Sequence, residues 1–86
     1  MPRISEFYGI IISMYYNDHE PPHFHARYGE HEVQVRIESR RVLRGSLPAP
    51  RLALVRRWAH QHTGELMANW DAARRGDALS PIPGLE

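Results

Sequence analysis

At 86 residues the chain has room for one small domain with a thin core, which excludes a two-domain enzyme or a full doubly wound sheet. Apolar residues at 42% and charged residues at 24% exclude wholesale disorder, and the absence of cysteine excludes disulfides, thiolate zinc sites and thiol nucleophiles. The net charge of +1 conceals a segregation: −3 over residues 1–35, +6 over 36–57 and −2 over 58–86.

Tyr8 to Tyr16, rich in Ile, Tyr and Met, reads as a strand. Its run Ile10-Ile11-Ile12 is the longest apolar stretch. That is far too short to span a bilayer, and no signal peptide precedes it, so no membrane association and a cytoplasmic location are expected. Asn17 to Pro22 breaks the strand, because two successive prolines remove two backbone donors and push Glu20 to an extended conformation. His23 to Tyr28 and Glu32 to Glu38 follow, separated by Gly29-Glu30. The second run alternates, with Val33, Val35 and Ile37 on one face and Gln34, Arg36 and Glu38 on the other. A hairpin turning at Gly29-Glu30 predicts Ala26 opposite Val33, Phe24 opposite Val35 and Arg27 opposite Glu32. A further short strand is placed around Val42–Leu47.

Pro48-Ala49-Pro50 opens a helix whose buried stripe is Val55, Trp58, Ala59 and His62, widened by Leu52 and Leu54. A second helix is expected with Thr63 as N-cap, Leu66, Met67, Trp70 and Ala73 as its apolar stripe, and Gly76 as terminator. One long helix through Gly64 is the alternative. Residues 77–86 contain Pro81 and Pro83 and read as an extended tail that docks through Leu79, Ile82 and Leu85 or stays loose. The expected architecture is α+β: one domain over residues 1–76, with an antiparallel sheet of three to four strands and two C-terminal helices packed on one face.

All seven basic residues of the +6 segment are arginines, opposed by Glu38 alone. The ordinary expectation is that they pair with the acids of the flanking thirds. The functional alternative is an anionic partner, RNA, DNA or an acidic protein surface, with Arg27, Arg36, Arg40, Arg41 and Arg44 as anion-binding candidates.

Four of the six histidines lie between positions 19 and 31, and the dense part runs from Asp18 to His25. On a strand His23, His25 and Arg27 share a face while Phe24, Ala26 and Tyr28 go to the core, so both imidazoles are expected on the solvent-facing surface. Three chemistries fit. His23 and His25, completed by His19 or Asp18, can hold a divalent transition metal such as zinc with an open coordination position. His23, His25 and Asp18 can instead run metal-free acid–base catalysis, with Arg27 or Arg36 steadying a phosphate, a division of labour suited to RNA cleavage. Or the imidazoles and Asp18 tie down the corner by hydrogen bonds. His60 and His62 lie about 200° apart around a helix and cannot chelate together.

The opening Pro2 to Ile10, the run Met14 to Gly29 with its Asp-His-Glu-Pro-Pro-His-Phe-His core, and the later Trp58-Ala59 and Asn69-Trp70 resemble a family of small bacterial proteins known as a domain of unknown function, the 4160 series. The resemblance covers nearly the whole chain. It implies a neighbouring gene for a second small protein, an arrangement similar to a toxin–antitoxin pair, and it brings no catalytic residues with it. The leading expectation is thus a component of a toxin–antitoxin-like module acting through a small partner protein. The alternative is a metal-dependent or histidine-based ribonuclease at the Asp18, His19, His23 and His25 corner.

Overall fold

The computed structural model describes residues 2–86. Five strands form one antiparallel sheet in the order of the chain: β1 (Arg3–Phe7), β2 (Ile10–Ser13), β3 (His23–Tyr28), β4 (His31–Arg36) and β5 (Val42–Gly45). Two helices follow, α1 (Ala49–Gln61) and α2 (Thr63–Arg75). The α+β class holds, and the strand number rises from the expected three or four to five. The extra strand is β1, which lies ahead of the expected first strand, in residues for which no element was expected. Tyr8 and Gly9 both take positive φ, 49° and 76°, the signature of a two-residue type I′ hairpin, so β1 pairs with β2 across them and the strand expected from Tyr8 to Tyr16 shortens to Ile10–Ser13.

The central hairpin follows the predicted register throughout. Phe24 faces Val35, Ala26 faces Val33, Arg27 faces Glu32 and Tyr28 faces His31. Gly29 at φ 60° supplies the first turn position of a type II′ hairpin, for which glycine is the natural residue. A slip of one residue would carry Phe24, Ala26, Val33 and Val35 out of the core, which is why the alternation fixes the pairing.

Ile10, Ile12, Phe24, Ala26, Val33 and Val35 join Val55, Trp58, Leu66 and Trp70 of the helices in one buried cluster. The Trp58 ring sits 5.3 Å from Phe7 and 5.8 Å from Phe24. A fully buried Trp removes roughly 150–250 Å² from water, worth about 4–6 kcal/mol at 25 cal/mol/Å². The helices are separate, meeting at His62, which ends α1 and caps α2. Thr63 is therefore not the N-cap. It is the first helical residue, and its Oγ1 donates back to the Ala59 carbonyl at 3.0 Å, while Glu65 pairs with His62 Nδ1. Gly76 ends α2 in the left-handed conformation, as expected.

The tail is docked. Ile82 is buried and its N–H donates to the Ile4 carbonyl at 2.8 Å, outside β1. Trp58 Nε1 donates to the Pro83 carbonyl at 2.8 Å, and Asn69 exchanges two 2.8 Å hydrogen bonds with the backbone of Ser80. Among the described residues no helix is long and apolar enough to cross a membrane.

Candidate metal centre

The chain between β2 and β3 runs through Asn17, held at φ 57°, and a cis Glu20–Pro21 peptide bond. This corner carries Asp18 back over the start of β3. Strand alternation there puts His23 and His25 on the same side, with ring centroids 5.3 Å apart, and Phe24 between them in the core.

Both rings converge on one carboxylate oxygen. Asp18 Oδ2 lies 3.0 Å from His23 Nε2 and 3.2 Å from His25 Nε2. Ligand atoms of the three residues all fall within 4.8 Å of one another. Zinc bonds of about 2.0–2.1 Å at tetrahedral angles separate neighbouring donors by about 3.3–3.4 Å, close to the two measured edges. His19 flanks the group, its ring stacked 5.0 Å from His23 and its Nε2 3.7 Å from Asp18 Oδ1.

The far nitrogens of the rings are all engaged by acceptors. His23 Nδ1 donates to the Pro21 carbonyl at 2.7 Å, His25 Nδ1 to Glu32 Oε2 at 3.3 Å, and His19 Nδ1 to the Glu20 carbonyl at 3.2 Å. All three Nε2 atoms lie toward Asp18, and in the tautomer with its N–H at Nδ1 that nitrogen carries the lone pair a metal would use. Ligand imidazoles are prepared in this way by carbonyls and carboxylates behind them.

His23 Nε2 is the nitrogen most open to a ligand. It is buried, and although Asp18 Oδ2 is 3.0 Å away the ring is turned so that no hydrogen bond forms. A nitrogen without a hydrogen bond is free to serve as a ligand. His25 differs, since its Nε2 also has hydrogen-bonding geometry to Asp18 and, protonated on both nitrogens, it would bridge Asp18 and Glu32. Burial pushes the Asp18 carboxyl up. The hydrogen bond from His25, the 2.8 Å one from the His19 amide and the charges of His23 and His19 together outweigh it and hold the carboxyl below its usual range.

The imidazoles share a side, as predicted, but they are not solvent-facing: His23 is 1% exposed and His25 7%. Tyr15 meets His25 edge-on at 4.4 Å, and Trp70 of α2 lies 5.4 Å from His23. Tyr15 follows the neighbouring strand β2, whereas Trp70 comes from a distant position whose approach no local pattern announces. His19 stays exposed and marks the open side. Arg74 of α2 binds Glu20 at 2.7 Å and ties the helix to the corner. Glu32, expected only as a partner for Arg27, serves both Arg27 at 3.6 Å and His25.

Among the anion-binding candidates, Arg27 is exposed on the sheet face opposite the helices. There, with Arg3, Ile11, Ser13, His25 and Glu32, it lines a cavity of about 100 Å³. Arg36 is the cross-strand neighbour of His23, and its Nε is buried without a partner. Arg40, Arg41 and Arg44 lie away from the corner, on the turn after β4 and on β5.

A family model described as a domain of unknown function, DUF4160, matches residues 9–71. The chain belongs to this family. The match takes in β2 to β4, the whole Asp18–His25 corner and most of α2, so the candidate centre lies inside the DUF4160 domain. No curated protein and no solved structure matches the chain.

Proposed function

We propose that Asp18, His23 and His25 hold one divalent transition-metal ion, with zinc the best match to two imidazoles and a carboxylate, and that the chain uses it in hydrolysis of a phosphoester, RNA being the first substrate to test. The observation that carries the reading is the bare, buried Nε2 of His23 beside Asp18 Oδ2, with Pro21 fixing its lone pair inward. An ion held by three protein donors keeps a position open and acidifies a water there, which is hydrolytic chemistry. His19, the exposed member of the cluster, would be the imidazole next to such an ion, with its Nε2 3.7 Å from Asp18 Oδ1. In this reading His19 would take or return a proton at Nε2. Arg36, beside His23, and Arg27, at the cavity next to His25, are the cations available to a phosphate. The toxin–antitoxin-like module rests on gene-order analogy, so the atoms of the corner lead instead.

The test uses untagged protein, since a histidine tag would compete for metal. After saturation with zinc and dialysis, elemental analysis should return close to one ion per chain for the wild type and little for Asp18→Asn with His23→Gln. Cleavage of a single-stranded RNA should require metal and disappear with a chelator. Equal metal content in wild type and variant would refute the centre. Stoichiometric binding without metal-dependent cleavage would keep the centre and refute the hydrolase.

A further inference from the structure

The arginines of residues 36–57 do not pair with the acids of the flanking thirds. Among the described residues the arginine ion pairs are Arg3–Glu6, Arg27–Glu32, Arg74–Glu20 and Arg75–Asp77, and none involves any of the seven. Arg51 is occupied otherwise, lying over the Tyr28 ring at 4.6 Å and donating to the Tyr8 carbonyl. Arg56 of α1 donates to the Arg40 carbonyl at 3.1 Å, which draws the helix surface against the turn before β5. Arg40, Arg41, Arg44 and Arg56 therefore gather around one strand, with Glu38 the only acid in the segment.

That strand is an edge. β5 pairs with β4 on one side and has no strand on the other, and all four of its residues are exposed. Val42 and Leu43 are 36% and 41% exposed, two of the four large apolar side chains left in solvent. Unpaired backbone, an exposed apolar pair and uncompensated positive charge thus coincide at one place.

We propose that β5 docks an extended acidic segment of a partner protein, which adds to the sheet as a sixth strand. Backbone hydrogen bonds to β5 would supply the pairing, Val42 and Leu43 the apolar contact, and the arginines the selection for glutamate and aspartate. A second copy of this chain is a poor occupant, because edge-to-edge pairing of β5 would set arginine against arginine. Nucleic acid fits less well than an acidic strand: residues 36–57 contain no aromatic side chain on which a base can stack. The surface is independent of the metal centre, and neither proposal needs the other.

The experiment follows backbone amides of the full chain by NMR while a short peptide alternating glutamate and valine is added. Three comparisons run beside it: the same peptide N-methylated along one edge, a peptide alternating lysine and valine, and a single-stranded RNA of matching charge. The acidic peptide should shift the amides of 42–45, and affinity should fall at least tenfold on N-methylation, which removes backbone bonds but keeps the charge. Arg40→Glu with Arg44→Glu should abolish binding. Arg56→Glu, whose helix lies outside the sheet, should weaken it and serves if the double variant fails to fold. Equal affinity for the N-methylated peptide would overturn strand addition. Binding of the RNA but not the peptide would overturn the choice of partner. No shift at 42–45 with millimolar peptide would overturn the proposal altogether.

Discussion

Zinc should stabilise the wild-type chain and leave His25→Ala nearly unmoved. Two of the donor edges, 3.0 and 3.2 Å, are already within a few tenths of an ångström of a tetrahedral site, so binding needs little rearrangement. An ion present at about a hundred times its Kd, bound only by the folded state, adds about 2.7 kcal/mol. A domain of this length gains about 4–8 °C in Tm per kcal/mol, so zinc should raise Tm by about 11–22 °C. His25→Ala also loses the edge contact with Tyr15, which lowers the metal-free baseline by itself. The quantity to compare is therefore the increment on adding zinc within each protein, from circular dichroism melts with and without a chelator. In the variant, with two donors left, the increment should shrink to a few degrees. Equal increments in the two proteins, or none in the wild type at saturating zinc, would refute the assignment.

Glu32→Gln should leave the fold intact but weaken zinc about 10–100-fold, read by competition with a chromophoric chelator, because Glu32 orients His25 from behind. Asn69→Ala should free the tail at a cost of about 1–3 kcal/mol in urea titration, since both side-chain hydrogen bonds to Ser80 go at once. Tyr8→Asn should stabilise by up to about 1 kcal/mol in the same assay: Tyr8 is exposed at φ 49°, a conformation that costs a bulky L-residue about 1–2 kcal/mol and that Asn tolerates better.

What could be read from residues alone followed the reach of the forces involved. The β3–β4 hairpin was legible to the residue because Phe24, Ala26, Val33 and Val35 alternate without a break, and only one register buries them together. The first hairpin was hidden because its turn uses Tyr8 in a left-handed conformation, where Asn or Gly would have announced it. At the corner, strand parity put His23 beside His25 and the short loop brought Asp18 within reach. Their burial was not legible, since Tyr15 closes on His25 and Trp70 on His23, the latter arriving from a helix far along the chain. The role of Glu32 was half legible: its place opposite Arg27 was plain, but its second contact, with His25, is a diagonal one. Charge pairing of the arginine segment was the ordinary expectation, and the fold does not deliver it: Glu6, Asp18, Glu20, Glu32, Glu65 and Asp77 of the flanking thirds pair instead with Arg3, Arg27, Arg74, Arg75 and the histidines.

The two margins of the sheet are unlike. Beyond β1 the last residues of the chain lie against Ile4, and a side chain at Gly84 would press on the Glu6 carbonyl, so that margin is sealed from within. Only the opposite margin can grow. A molecule with one growing end can accept a visitor but cannot become a link in an open-ended fibre, so any complex built there stops at a fixed size.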